Sequence, residues 1–260
     1  MSSNAFTDVA VITGGGGGLG SAVARDFAQR GIPMVLTGRT AETLQTAVEA
    51  VEAAGGQAVA MPGDVRDEAH IESVFATAAE RFGPVSVVLH AAATHGTPMK
   101  LVDVSLEEWE FVTDTNLRST FLVTRAALRQ MVPRKRGSIV LVASAGILRG
   151  FPLAAPYAAS KSALVGFART LAAEVSPDGV RVNVLTPGAM TTTAIFHSAM
   201  PGIAEEMGFS QEEMVPLLEN MSAMRRPCTV EEMGRSAVFL ALEATAMTGQ
   251  NLVADAGLTT

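Results

Sequence analysis

Residues 9–31 constrain the chain more than any other stretch. Val9 to Ile12 is a short apolar run with a β-branched bias. It leads into Thr13-Gly14-Gly15-Gly16-Gly17-Gly18-Leu19-Gly20 and then SAVARDFAQRG, where Ala22, Val23 and Phe27 recur at helical spacing before Gly31 ends the pattern. Strand, glycine loop, helix is the layout of a dinucleotide pyrophosphate site. Glycines let the backbone turn tightly and approach phosphates, and the N–H groups at the helix start hold the negative charge. Two registers fit: G-x-G-x-x-G at Gly15, Gly17 and Gly20, or T-G-x-x-x-G-x-G at Thr13, Gly14, Gly18 and Gly20. A flexible linker is the competing explanation, but linkers are not framed by a buried strand and an amphipathic helix.

The same alternation continues along the chain. Strands are expected at Pro33–Thr37, Gln57–Met61, Val85–Leu89, Gly137–Ala143, Val180–Leu185 and Asn251–Ala254. Helices are expected at Ala41–Ala54, at 68–82 with Asp67 as its cap, and from Ser105 to about Met131 with a Ser105-x-x-Glu108 capping box. Two more follow, one bearing Tyr157 and running to about Val175, and one opened by Thr229-x-x-Glu232. Asn116 falls inside the third of these helices, an unfavoured place for asparagine. Between Ala189 and Pro227 the helical signal is weak and broken by Pro201, Gly208 and Pro216. This segment holds six of the thirteen methionines and reads as a soft apolar flap over a site. Met200, Met207, Met214 and Met221 lie seven apart, but the breakers argue against a coiled-coil seam. The pattern predicts an α/β fold, a doubly wound (Rossmann) parallel seven-stranded sheet in a single domain over 1–260, with ligands at the carboxyl ends of the strands.

Composition narrows the function classes. A net charge of -7 speaks against nucleic-acid or anionic membrane partners, and Arg134-Lys135-Arg136 reads as a solvated loop. The single cysteine, Cys228, excludes an internal disulfide framework and the usual zinc sites, so no metal is expected. A reducing, cytoplasmic setting fits. The opening MSSNAFTD lacks a basic and apolar leader, so no signal peptide is expected, and the apolar runs are too short for a membrane span.

The chemistry is expected in SAGILRGFPLAAPYAASK, residues 144–161. Tyr157 and Lys161, four apart, share a helix face. A free tyrosine titrates near pH ~10, and a neighbouring ammonium is expected to pull that down toward the working pH of a proton donor. Ser144 ends an apolar run that reads as a buried strand, placing a hydroxyl where it can meet the tyrosine over one substrate oxygen. About twenty residues past the glycine loop, where an acidic side chain would hold a ribose 2′-OH, stand Gly38 and Arg39. An arginine suits a 2′-phosphate and points to NADP(H), otherwise NAD(H); the alternative is a solvent-facing turn residue.

With these residues placed, nearly the whole chain resembles the short-chain dehydrogenase/reductase family. The resemblance rests on Thr13–Gly20, Asp64-Val65, Asn116, Ser144, Tyr157-Ala-Ala-Ser-Lys161, Pro187-Gly-Ala-Met-Thr-Thr192 and the ending Thr248-Gly-Gln-Asn-Leu-Val-Ala-Asp-Ala-Gly257. It implies Tyr157 as proton donor in reduction and Lys161 as its tuner and nicotinamide-ribose ligand. Ser144 would steady the carbonyl, and Asn116 would help hold a water relay to Lys161. Asp64 would accept from the adenine amine, Thr192 would contact the nicotinamide amide, and Leu19, Val65, Ala92, Pro187 and Gly188 would line the cofactor. A homotetramer, with the helices of Asn116 and Tyr157 at one interface, is also implied. The family's usual Asn-Asn-Ala-Gly after the fourth strand is here His90-Ala91-Ala92-Ala93. His90 is expected to be a core histidine satisfied by backbone. Substrate walls are expected from Thr94, His95, Ile147, Leu148, Phe151, Leu153, Met190, Ile195 and Phe196, suiting a mostly apolar ketone or secondary alcohol. Two alternatives stand: a non-catalytic nucleotide-binding sensor or scaffold, and a 3-oxoacyl-thioester reductase using Arg125 and Arg129 toward an acidic carrier.

Overall fold

The central strands of the sheet are short apolar runs rich in β-branched residues, and alternate side chains feed opposite faces. In β1 (Ala10–Thr13), Ala10 and Ile12 enter one core cluster while Val11 enters the other. The same division separates Met34 and Leu36 from Val35 in β2 (Met34–Gly38). A sheet buried on both faces needs such runs. A computed structural model of the protein describes residues 8–260; the leader expectation falls on 1–7, outside the described residues.

The remaining strands are β3 (Ala58–Pro62), β4 (Val87–His90), β5 (Gly137–Val142), β6 (Val180–Pro187) and β7 (Asn251–Ala254). They pair in parallel in the order β3-β2-β1-β4-β5-β6-β7. The order reverses between β1 and β4, which opens a crevice at their carboxyl ends. Helices α1 (Gly18–Gln29) and α2 (Ala41–Ala53) cover one face. The other is covered by α3 (Glu68–Arg81) and by the rod of α4 (Leu106–Thr113) and α5 (Ser119–Met131). After β5 come the short α6 (Gly146–Arg149) and α7 (Ala155–Val175), then α8 (Ala194–Met207), α9 (Gln211–Met221) and α10 (Val230–Val238). None of the described helices is long and apolar enough to cross a membrane.

Strand and helix bounds fall within a residue or two of expectation, and the differences have local causes. The long helix from 105 to 131 changes to a π turn at Asp114–Arg118, between α4 and α5, and Asn116 sits there. Four hydroxyls on this rod, Thr115, Ser119, Thr120 and Thr124, donate to carbonyls four residues back, a pattern that bends helices. The Ser105 capping box forms only in half. Ser105 Oγ accepts from Glu108 N, but the Glu108 carboxylate accepts from Thr97 N instead. Thr229 and Glu232 form theirs reciprocally. Pro201 and Pro216 do not interrupt the flap; they lie inside α8 and α9, and only Gly208, at φ +78°, breaks between them. Met200, Met207 and Met214 pack together in the α8–α9 hairpin, while Met221 joins a second cluster, so the seven-residue spacing makes no seam. Lys135 and Arg136 are exposed, as a solvated loop requires, but the two arginines of the cluster are tied down. Arg134 donates to the carbonyls of Gln130, Pro84 and Val85, and Arg136 pairs with Asp8 at 2.8 Å.

Candidate active site

One cavity of about 470 Å³ runs along the crevice, from the glycine loop and Arg39 to the underside of α8 and α9. Its floor at the first end is backbone. Gly14 takes φ +67°, and a Cβ there would lie 2.9 Å from Ala92 N. A Cβ on Gly20 would lie 2.2 Å from Gly14 O, so only glycine lets α1 begin against the loop. The helix starts at Gly18, as the T-G-x-x-x-G-x-G register requires. Its first turn carries no acidic side chain, and Gly17 offers no side-chain cap, so its N–H groups remain for an incoming anion. Backbone donors at a glycine-bounded turn, with Arg39 at the rim, fit a dinucleotide pyrophosphate.

Gly14, Gly18, Leu19, Gly20, Arg39, Asp64, Val65, Ala92, Pro187 and Gly188 all line this cavity. Thr13 does not: it is buried, its hydroxyl lies 2.8 Å from His90 Nδ1, and it accepts from Ala92 N. It therefore ties the β1 loop to the β4 loop. Thr192 is exposed and outside the cavity wall, and Thr193 takes that place, because the Thr193 hydroxyl turns back to Met190 O ahead of α8. The Asp64 carboxylate is bound by Arg66, whose Nη2 lies 2.6 Å from Oδ2; this hydrogen bond lowers its pKa, and nearby Arg39 adds to the effect. Arg66 itself lines the cavity and lies over the Phe111 ring, a pairing with no periodic signature in the sequence.

His90 is a core histidine, but side-chain hydroxyls rather than backbone satisfy it: Thr13 Oγ1 at Nδ1 and Ser119 Oγ at Nε2, 3.1 Å away. Burial first, and the Lys161 charge second, push its pKa down to about 3, so it stays neutral.

Three of the four expected catalytic residues, Ser144, Tyr157 and Lys161, line the middle of the crevice, and Asn116 lies buried behind its wall. Asn116 uses both amide hydrogens, donating to Thr94 O and Ser160 Oγ, each at 2.9 Å, and its Oδ1 accepts from Thr94 N at 2.8 Å. Its side chain thereby pins the loop after β4 to α7, and Ser160 is the bridge that sequence reading missed. Ser144 Oγ accepts from Gly146 N at 3.2 Å, which leaves its own O–H proton to donate. Lys161 Nζ donates to Val142 O at 2.7 Å and lies 5.9 Å from the Tyr157 ring centroid.

The expectation that Lys161 lowers the tyrosine pKa does not hold in this geometry. Burial raises Tyr157, with the Ser144 hydroxyl pulling the other way, and burial lowers Lys161 to about 7. Burial is the largest cause for both groups, because it disfavours the charged form of each.

Among the expected substrate walls, His95, Phe151, Met190, Ile195 and Phe196 line the cavity. Ile147 does not; it packs against the sheet core between β5 and α7. Leu148 faces solvent, Thr94 serves Asn116 through its backbone, and Leu153, at φ +62°, packs into the α8–α9 hairpin. The hairpin adds Met200, Ile203, Met214 and Leu218 to the wall, residues that only tertiary folding brings there. Arg125 and Arg129 are spent on Glu68 and Glu72 of α3 and form no open basic patch.

A family model described as enoyl-(acyl carrier protein) reductase matches residues 15–259. The short-chain reductase protein NovJ of Streptomyces niveus is 33% identical over 250 residues, covering 96% of this chain and 93% of that protein. D-beta-hydroxybutyrate dehydrogenase of Rhizobium meliloti (strain 1021) is 30% identical over 258 residues, 98% and 99% of the two chains. A single-site variant of actinorhodin polyketide ketoreductase with NADPH superposes with a TM-score of 0.92 at 32% identity, covering 98% of each chain. NAD+-bound xylitol dehydrogenase superposes at 0.91 with 27% identity, covering 98% and 100%. The chain belongs to the short-chain dehydrogenase/reductase family. Since structures holding NADPH and NAD+ match its fold equally well, the fold does not select the cofactor; residues at the rim must.

Proposed function

We propose that the protein is an NADP(H)-dependent oxidoreductase interconverting a ketone and a secondary alcohol. The observation that carries this reading is the continuous cavity joining the glycine cradle to Ser144, Tyr157 and Lys161 inside apolar walls. A bound nicotinamide supplies the hydride in reduction and accepts it in oxidation. The chain's residues handle the proton and the oxygen. Tyr157 gives its phenolic proton to the forming alkoxide, and Ser144 donates a hydrogen bond to the same oxygen. Lys161, its pKa lowered to about 7 by burial, would contact the nicotinamide ribose of a bound cofactor. Asn116 acts as a positioning residue by holding the β4 loop against Ser160.

Arg39 makes no ion pair among the described residues, and Asp64, the nearby acidic group, is already neutralised by Arg66. A 2′-phosphate entering beside them gains an arginine and meets no uncompensated carboxylate, which favours NADP(H) over NAD(H). The segment 189–227 is the flap over the substrate. The non-catalytic alternative drew only on His90–Ala93, and that segment is braced by Thr13 and Ser119. Exposed Leu106, Trp109 and Phe121 on α4 and α5 support the homotetramer expected for such a chain.

The test is the initial rate of cofactor oxidation with a panel of aryl and alicyclic ketones, run with NADPH and with NADH. Turnover with preference for NADPH is expected. Preference for NADH overturns the part assigned to Arg39, and no turnover with either cofactor overturns the enzyme reading.

A further inference from the structure

The apolar end of the cavity contains few polar side chains, and nearly all are accounted for. Ser144 and Tyr157 serve the reacting oxygen, and the hydroxyls of Thr115 and Thr193 are tied to the carbonyls of Phe111 and Met190. His95 is left over. Its Nδ1 is buried without a hydrogen-bond partner among the described residues. Its ring stacks on the Tyr157 ring, centroids 4.9 Å apart and planes at 28°. A buried polar atom left unpaired costs about 1–3 kcal/mol, and the great majority of such atoms find partners.

The segment carrying this ring is braced on both sides. Thr94 exchanges two backbone hydrogen bonds with the Asn116 amide, Gly96 N donates to Thr94 Oγ1, and Thr97 N donates to Glu108 Oε1. Gly96 takes φ +74°, where a Cβ would lie 2.4 Å from Val112 Cγ2. Side chains from α4 and the π turn, and a glycine, thus hold an imidazole against the phenol of Tyr157, with no partner among the described residues for its Nδ1. Such preorganisation is what a recognition group needs.

We propose that His95 determines specificity: its imidazole hydrogen-bonds a second oxygen of the substrate, so the site selects ketones bearing an oxygen function close to the reacting carbonyl. This rests on the reading of the cavity as a carbonyl-reduction site. The stack sets the spacing, because the imidazole lies alongside the phenol and the second oxygen must sit within a few Å of the first. A β-oxo ester or a β-hydroxy ketone has that separation. A neutral imidazole donates at one nitrogen and accepts at the other, so it can meet a carbonyl or a hydroxyl. The ring lines the cavity, and a half-turn about Cβ–Cγ exchanges its edges, so a nitrogen can face an entering ligand from either. Burial keeps it uncharged, against the opposing pull of the Gly96 backbone, so the apolar wall is not asked to hold an unpaired cation.

The experiment compares kcat and KM for ethyl acetoacetate and for 2-heptanone, a ketone of matched chain length without the second oxygen function. Wild type, His95→Phe and His95→Gln are each assayed with NADPH and NADH. The phenylalanine keeps an aromatic ring on Tyr157 and removes both nitrogens; the glutamine restores a donor and an acceptor. Wild type is expected to favour the oxo ester about tenfold in kcat/KM, the worth of one buried hydrogen bond. In His95→Phe that ratio falls toward one, mainly through a higher KM for the oxo ester, and His95→Gln recovers part of it. An unchanged ratio in His95→Phe, or equal use of both ketones by wild type, overturns the role of His95 and leaves the reductase reading standing. Turnover of neither ketone by wild type overturns the reductase reading and this inference with it.

Discussion

At the cofactor end of the cavity the wall is mostly backbone, whereas at the substrate end it is mostly side chain. Gly14, Gly20, Gly63 and Gly188 shape the first by what they lack. Phe196, Met200, Met214 and Leu218 shape the second by what they fill, and they come from a hairpin whose apolar clusters are small. A backbone wall admits no compromise, because carbonyl and amide positions are fixed by the strands beneath them. A wall of methionines and aromatics can repack. The two ends should therefore respond to mutation in opposite ways.

The sharpest contrast is a methyl added at one end against several atoms removed at the other. Gly20→Ala places a Cβ 2.2 Å from Gly14 O. NADPH binding, followed by nicotinamide fluorescence, should fall at least about 100-fold. Met214→Ala empties a buried position in the α8–α9 hairpin, at a cost of about 2–5 kcal/mol if the hairpin cannot relax. The softer end is expected to absorb the loss: thermal melts should show a shift at the low end of that range, KM for ketones should rise, and NADPH affinity should hold. If NADPH affinity falls as steeply in Met214→Ala as in Gly20→Ala, the two ends are not independent. Arg39→Ser should narrow the preference for NADPH over NADH by about 10- to 100-fold, the worth of charge-assisted hydrogen bonds to a phosphate. No change in preference would remove Arg39 from the site.

The contrast also explains what could be read from sequence. The cofactor end was legible because its constraints are local: β1, the glycine run and α1 are contiguous, and Tyr157 and Lys161 are one helical turn apart. Thr13 and Thr192 mark the limit even there: the glycine pattern placed Thr13 and the family resemblance placed Thr192 beside the cofactor, but the Thr13 hydroxyl turns to His90 and Thr192 is exposed outside the wall. At the substrate end Ile147 and Leu153 looked like wall residues because they flank Ser144 and Tyr157, yet each turned to a nearer apolar cluster. Met214 and Leu218 lie in the segment read as a flap, but neither was marked as a wall residue, because their place in the wall depends on how the hairpin folds over the crevice. Asn116 gave half a signal: its oddness within a helix was visible, but the π turn that aims it was not.

The smallest effect concerns the seam between the ends, where His90 joins Thr13 to Ser119. Its pKa, near 6.5 unfolded and about 3 folded, means that the unfolded chain takes up a proton that the native state refuses. Its stabilisation is thus complete above pH ~6.5 and is lost as pH falls toward 3. His90→Asn, which has no such titration, should lose less of its urea midpoint between pH 7 and pH 4 than wild type does. An identical loss would show that His90 is not the group responsible.

Cofactor binding at one end and proton delivery at the other are the central claim, and Tyr157→Phe separates them most directly. The protein is titrated with NADPH by nicotinamide fluorescence, and ketone turnover is then measured on the same samples. NADPH affinity is expected within about threefold of wild type, with a fall in kcat of at least about 100-fold, the contribution of a positioned proton donor. Turnover near the wild-type rate with the phenol removed would contradict it.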